Sequence, residues 1–220
     1  MVTVLSPPEQ RIVLYNVSWQ TYECLLRDYE NSSSPRLTYD HGILEIMSPF
    51  SEHESYCRFI DLVLGVWADE TDIRVRITGA TTFKRRALLR GFEPDSSFYI
   101  QNEPAVRGKR RIDLEVDPPP DLVIEIDITH SSLDKLSINA QVGVPEVWRY
   151  DGQKVEVLVL NDEGYVPQFE SRMLPGMTAA ALADLLTDVP LLDAAAWMRR
   201  ARHWARSLPD AEAKPEPDHR

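Results

Sequence analysis

Residues 119–129, PPDLVIEIDIT, hold the most concentrated chemistry-bearing pattern in the chain. Strand side chains alternate between faces, so Leu122, Ile124, Ile126 and Ile128 share one side, which is wholly apolar. Asp121, Val123, Glu125, Asp127 and Thr129 share the other. Two strand positions span about 7 Å, which sets the Glu125 and Asp127 carboxylates near one another on one face. Ionised carboxylates are rarely fully buried unless they are paired or bind a metal. Two readings stand open: a metal site on a buried strand, or an edge strand with its acidic face in water.

Asp95 opens a second strand pattern, 125 − 95 = 30 positions before Glu125. Clustered carboxylates hold Mg²⁺ or Mn²⁺ through hard oxygen ligands and leave room for water and phosphate, the need of metal-assisted phosphodiester hydrolysis. A lysine beside them can orient or deprotonate the attacking water and stabilise the developing charge. Lys135, in the first turn of the next predicted helix, is the candidate, and the helix N-terminus itself favours an approaching phosphate. Each residue also has an ordinary structural role open to it. Asp95, after Pro94, suits a turn cap; Asp127 suits a solvated strand position; Lys135 suits a helix surface.

The surrounding pattern supplies elements to carry these groups. Residues 17–29 have helical spacing, ended by NSSSP, and residues 36–48 read as a hairpin turning at His41-Gly42. Ser51 with Glu54 makes a capping box for a helix whose apolar stripe runs through Tyr56, Ile60, Val63 and Trp67. His53 lies on the same stripe, where a core histidine is the ordinary outcome. Residues 73–85 alternate as one strand and 95–100 as another, followed by a polar surface loop over 102–120. Ser131 or Ser132 caps a short helix stopped by Gly143, and a second hairpin turns at Asp151-Gly152. Two amphipathic helices close the pattern, one lined by Leu182, Leu185, Leu186 and Val189, the other by Trp197, Ala201, Trp204 and Leu208. Residues 1–10 read as a loose arm and 209–220 as a disordered tail. The expectation is one domain over 1–208, with a core at about 17–170 and C-terminal helices at 177–208.

The run PDLVIEIDITHSSLDKLSINAQVGVPEVWRYDG resembles the signature of the Uma-two family of restriction-endonuclease-like proteins, in the PD-(D/E)XK nuclease superfamily. ILEIMSP, the nearby His53, RGFEPDSSFYI and GVPEVW support it in the family's order, over residues 17–165. The resemblance implies an α/β (α+β) fold, a mixed sheet flanked by helices, with Asp95 and Glu125 as metal ligands. The superfamily pattern places lysine two positions after the glutamate, where this chain has Asp127. Family members without that lysine carry one in the following helix, and Lys135 matches that place. Asp127 then stands as a third metal-side carboxylate, and His53 as a second catalytic candidate through the family match.

Composition narrows the function classes. The 220 residues are 43% hydrophobic and 27% charged, as in soluble globular proteins. No apolar run reaches membrane-spanning length and no signal peptide is readable, so no membrane partner is expected. Two cysteines without ligand spacing suit a reducing cytoplasm. A net charge of −11 argues against a general, tight nucleic-acid binder but leaves room for an enzyme acting on DNA through divalent metal. The expected function is a Mg²⁺-dependent DNA endonuclease. The competing readings are a catalytically inactive binding or assembly module of the same fold and a hydrolase of small phosphoesters. A homodimer is expected, because exposed Trp197 and Trp204 would make an unusually large apolar patch for a monomer, and the arginines of the last helix are read as solvated in preference to phosphate contacts.

Overall fold

The structure, a computed structural model, describes residues 10–32, 34–48, 51–127, 133–187 and 193–208, with the side chains of 51–53 outside that description. In chain order the elements are β1 (Gln10–Leu14), α1 (Trp19–Asp28), β2 (Arg36–Asp40), β3 (Ile43–Ser48), α2 (Ser51–Thr71), β4 (Arg76–Ile77), β5 (Phe83–Arg85), β6 (Arg90–Phe92) and β7 (Ser96–Tyr99). They continue as α3 (Glu103–Val106), β8 (Leu122–Ile126), α4 (Lys135–Val142), β9 (Glu146–Tyr150), β10 (Val155–Asn161), β11 (Gly164–Gln168), α5 (Ala179–Thr187) and α6 (Ala194–Ser207). The fold is the expected mixed α+β architecture.

Two sheets carry it. The smaller is antiparallel, in the order β1-β3-β2-β6-β5. The larger, β11-β10-β9-β8-β7-β4, is mixed: β8 runs parallel to β9 and antiparallel to β7. A parallel neighbour requires a crossover, and α4 supplies it on the face opposite α2. Strand β8 is therefore central and buried along its length, so the edge-strand reading of its acidic face is overturned. Its two faces feed different cores, as alternation demands. Leu122, Ile124 and Ile126 pack with Cys57, Ile60, Leu64 and Trp67 of α2, whereas Val123 joins Tyr99, Val147 and the α4 residues Ile138 and Val142.

Helices α5 and α6 close over the α2 side. Leu182, Leu185, Leu186 and Trp197 are fully buried in that core, Trp204 packs partly buried against it, and the Trp197 indole donates to the Leu185 carbonyl at 3.0 Å. Each fully buried leucine there contributes roughly 1.5–3 kcal/mol. The apolar face on which the homodimer expectation rested is thus covered by the chain itself. Arg202 and Arg206 pair with Glu70 of α2, and Arg200 with Asp184 of α5, so these arginines fasten α6 to its neighbours.

Other expectations need correction. Residues 73–85 do not form one strand: β4 and β5 lie in different sheets, separated by a turn through Gly79 with φ +57°. Strands β1, β6 and β11 were not legible, being five residues or fewer with weak alternation. Asp134, not a serine, caps α4, its Oδ1 accepting from the Ser137 amide at 3.1 Å. Gly143 ends the helix as expected, at φ +91°. Helix α2 begins at Ser51, whose side chain lies outside the described residues, and the Glu54 carboxylate accepts from Arg36. The Ser131 and Ser132 caps, Ile128, Thr129 and Val189, the arm over 1–9 and the tail over 209–220 lie outside the described residues.

The third core, under α1, depends on a close approach. A Cβ at Gly91 would collide with the hydroxyl and ring of Tyr22, which stacks on Tyr39 with centroids 4.9 Å apart. We expect Gly91→Ala to destabilise the fold by about 1–3 kcal/mol, the usual cost of overpacking, in urea unfolding. Because the buried Tyr22 hydroxyl has no hydrogen-bond partner, adding Tyr22→Phe should recover part of that loss. An unchanged midpoint for Gly91→Ala would refute the steric argument.

Candidate active site

Strand β8 and the residues flanking it set three acids in chemically different environments. Asp121, at its entry, is buried and fully used: it accepts from the Ile100 amide at 2.7 Å, the Asn102 amide at 2.9 Å and the Asn102 side chain at 2.6 Å. It braces the turn after β7 and nothing more. Glu125 is equally buried, at 4% exposure, but is only half used. Its Oε2 accepts from the Lys135 ammonium at 2.7 Å, while its Oε1 is buried without a hydrogen-bond partner among the described residues. Asp127, just past the strand, has an orphaned buried Oδ1 as well. Unsatisfied buried polar atoms are uncommon and costly. Two of them fall on carboxylates two positions apart, Glu125 and Asp127.

Glu125, Asp127 and Lys135 line one cavity of about 220 Å³, together with Arg11, Asp134 and Arg149. Lys135 is brought there by its position at the first residue of α4, directly after the Asp134 cap. Arg11 comes from β1 and pairs with the buried Glu45 at 2.9 Å, and Arg149 from β9 pairs with Glu156. Tyr165, whose hydroxyl donates to the Val144 carbonyl at 2.7 Å, has its phenol pushed up by burial and further by the Glu125 charge.

Asp95 lies immediately before β7, beside the same end of β8, but it lines a different cavity, of about 300 Å³, with Arg36, Glu54, Arg58 and Glu93. Its carboxylate is well supplied with donors. Oδ2 accepts from the Ile126 amide at 2.6 Å, and Oδ1 takes the Arg36 guanidinium, which also reaches Glu54. The Cys57 thiol donates to the Asp95 carbonyl at 2.9 Å, and burial pushes that thiol up to about 12. Burial likewise raises Glu93, against the hydrogen bonds it accepts from Thr82 and the Leu37 amide.

The structure thus brings Glu125, Asp127 and Lys135 to one cavity and Asp95 to the next. The His53 side chain lies outside the described residues, although its backbone belongs to α2. Among the described residues no three His, Cys, Asp or Glu side chains cluster closely enough to hold a metal ion. The donor chemistry of the first cavity nevertheless fits a hard cation, because both orphaned atoms are carboxylate oxygens. Arg36, Glu93, Arg11 and Arg149 were not legible as site residues. Arginine and glutamate in or beside strands carry no local signal, and only the pairing of β2 with β6, of β1 with β3 and of β8 with β9 delivers them.

Residues 19–187, from the start of α1 to the end of α5, match the Uma2 family, described as "Putative restriction endonuclease". The chain belongs to that family. The Uma2 match spans every element that contributes Asp95, Glu125, Asp127 and Lys135, and leaves β1 and α6 outside. Among solved structures the chain is similar to a "putative nuclease belonging to DUF820" from Anabaena variabilis, at 16% identity and a TM-score of 0.46, over 78% of this chain and 92% of that one. No curated protein matches the chain. No helix of the described residues is long and apolar enough to cross a membrane.

Arg36 is the counter-charge for a fully buried acid, so its loss has a predictable cost. Arg36→Met should destabilise the protein by about 3–5 kcal/mol, the penalty for an uncompensated buried charge. Asp95→Asn in the Arg36→Met background should restore most of that stability, measured by denaturant midpoint. Equal stability of Arg36→Met and the parent protein would contradict the buried-pair assignment.

Proposed function

We propose that the protein is a divalent-metal-dependent nuclease that hydrolyses phosphodiester bonds of DNA. The observation that supports this reading is that Glu125 and Asp127, each with one buried carboxylate oxygen unsatisfied among the described residues, line one cavity with Lys135. Family membership supports the reaction class. Glu125 and Asp127 would hold Mg²⁺ or Mn²⁺, and Asp95 would join them by releasing the Arg36 guanidinium. Such an ion supplies Lewis-acid activation of water and phosphate.

The chain's own residues do the remaining work. The Lys135 ammonium neutralises Glu125, which limits the electrostatic cost of burying that carboxylate. Were Glu125 to hold a cation, Lys135 would be free to hold the attacking water and to stabilise charge gathering on the phosphoryl oxygens. It takes the role that the superfamily gives to a lysine at the position of Asp127. The crossover that makes β8 and β9 parallel is what returns α4 over the strand end and makes this substitution of place feasible.

Lys135→Ala should lower Mg²⁺- or Mn²⁺-dependent cleavage of plasmid DNA by on the order of 100- to 1000-fold, with Mn²⁺ binding retained by calorimetry. Asp127→Asn should instead weaken Mn²⁺ binding. Cleavage by Lys135→Ala at the parent rate would remove the lysine from the mechanism. No cleavage by the parent protein, across DNA, RNA and several divalent metals, would favour a binding module of the same fold.

A further inference from the structure

The Asp95 cavity borders a larger groove. Thr78 and Thr81 line both, and the groove, of about 790 Å³, extends between α1, the β4 and β5 strands and the loop at residues 110–113. Its lining holds five cations, Arg27, Arg76, Lys84, Arg110 and Arg111, against three carboxylates, Glu23, Glu30 and Asp113. That local excess of 5 − 3 = 2 positive charges occurs in a chain whose net charge is −11.

Much of this positive charge is available. Arg110 is exposed and has no partner among the described residues. Arg27 donates to the Glu23 carbonyl and the Cys24 sulfur, and Arg76 to the Val106 and Lys109 carbonyls, so neither is consumed by a carboxylate hydrogen bond. The Lys84–Glu23 and Arg111–Glu30 pairs are substantially exposed, and pairs of that kind are weak enough to exchange for a phosphate. Acidic groups on distant faces are screened beyond a Debye length of about 8 Å at physiological salt, so the groove's own cations dominate what a bound polyanion meets.

The lining also discriminates between kinds of nucleic acid. Grooves that hold single strands interleave cations with aromatic side chains on which bases stack. No aromatic residue lines this groove among the described residues. Contacts to a duplex go chiefly to phosphate oxygens and need only cations and polar groups. We infer that this groove is a phosphate-backbone track for double-stranded nucleic acid, leading a duplex to the Asp95 cavity. It rests on the nuclease reading for what happens next, but binding in the groove needs neither metal nor catalysis.

The test uses the full chain, with chelator present, and a short fluorescent DNA duplex titrated by anisotropy over a range of salt concentrations. Arg110→Ala with Arg111→Ala, both at exposed positions, should flatten the plot of log affinity against log salt by about 1.8, at roughly 0.9 for each phosphate no longer neutralised. Arg199→Ala on α6, outside the groove, should leave affinity and slope unchanged. Parent-like affinity and slope in the double variant would overturn the inference. So would an absence of duplex binding by the parent protein, or tighter binding of the corresponding single strand. If the duplex binds with the predicted slope change yet no divalent metal supports cleavage, the nuclease reading fails and the groove stands. If cleavage proceeds and the double variant still binds and cuts like the parent, the groove alone fails.

Discussion

Because β8 is covered on both faces, the carboxylates buried at and beside its C-terminal end, Glu125 and Asp95, must be compensated from within the protein. Water cannot do it at Glu125, where only 4% of the residue is exposed. The compensation comes from two cations delivered by different elements: Lys135 from the crossover helix to Glu125, and Arg36 from the smaller sheet to Asp95. Desolvation makes each of these charges costly to strand, so the positions of α4 and of the smaller sheet are tied to the acids they neutralise.

This arrangement separates well-satisfied acids from partly unsatisfied ones along a single segment. Asp121 accepts three hydrogen bonds through both of its oxygens. Glu125 and Asp127 each keep one buried oxygen unsatisfied among the described residues. A folded protein retains such oxygens at a cost. Glu146 makes the same point from the other side: fully buried, it is satisfied by the Trp148 indole, the Ser171 hydroxyl and the Arg172 amide, and it anchors the segment leading to α5.

Charge is distributed unevenly over the molecule. Arg200, Arg202 and Arg206 of α6 are absorbed by Glu70 and Asp184, whereas the cations between α1 and the 110–113 loop line an open groove that borders the Asp95 cavity. Net charge therefore says little about what one face can bind. Position relative to the site and the partners each cation already holds decide it.

Several elements were determined by local pattern alone. The α1 helix with its Ser18 cap, the β2–β3 and β9–β10 hairpins, the acidic β8 strand, the Gly143 stop and the two C-terminal helices all follow from periodicity and turn chemistry acting over a few residues. The same locality made Glu125, Asp127 and Lys135 visible, since they lie within eleven residues on one strand and the helix after it. What only the tertiary structure decided is long-range. Whether β8 is central or at an edge depends on β7 and β9 pairing with it from both sides, and no property of the strand itself encodes that. The partners of the acids are as remote: Arg36 stands 59 positions from Asp95 and meets it through sheet packing. A local sequence pattern specifies which groups a segment carries and which face they share, whereas burial and counter-charge are set by the segments that fold against it.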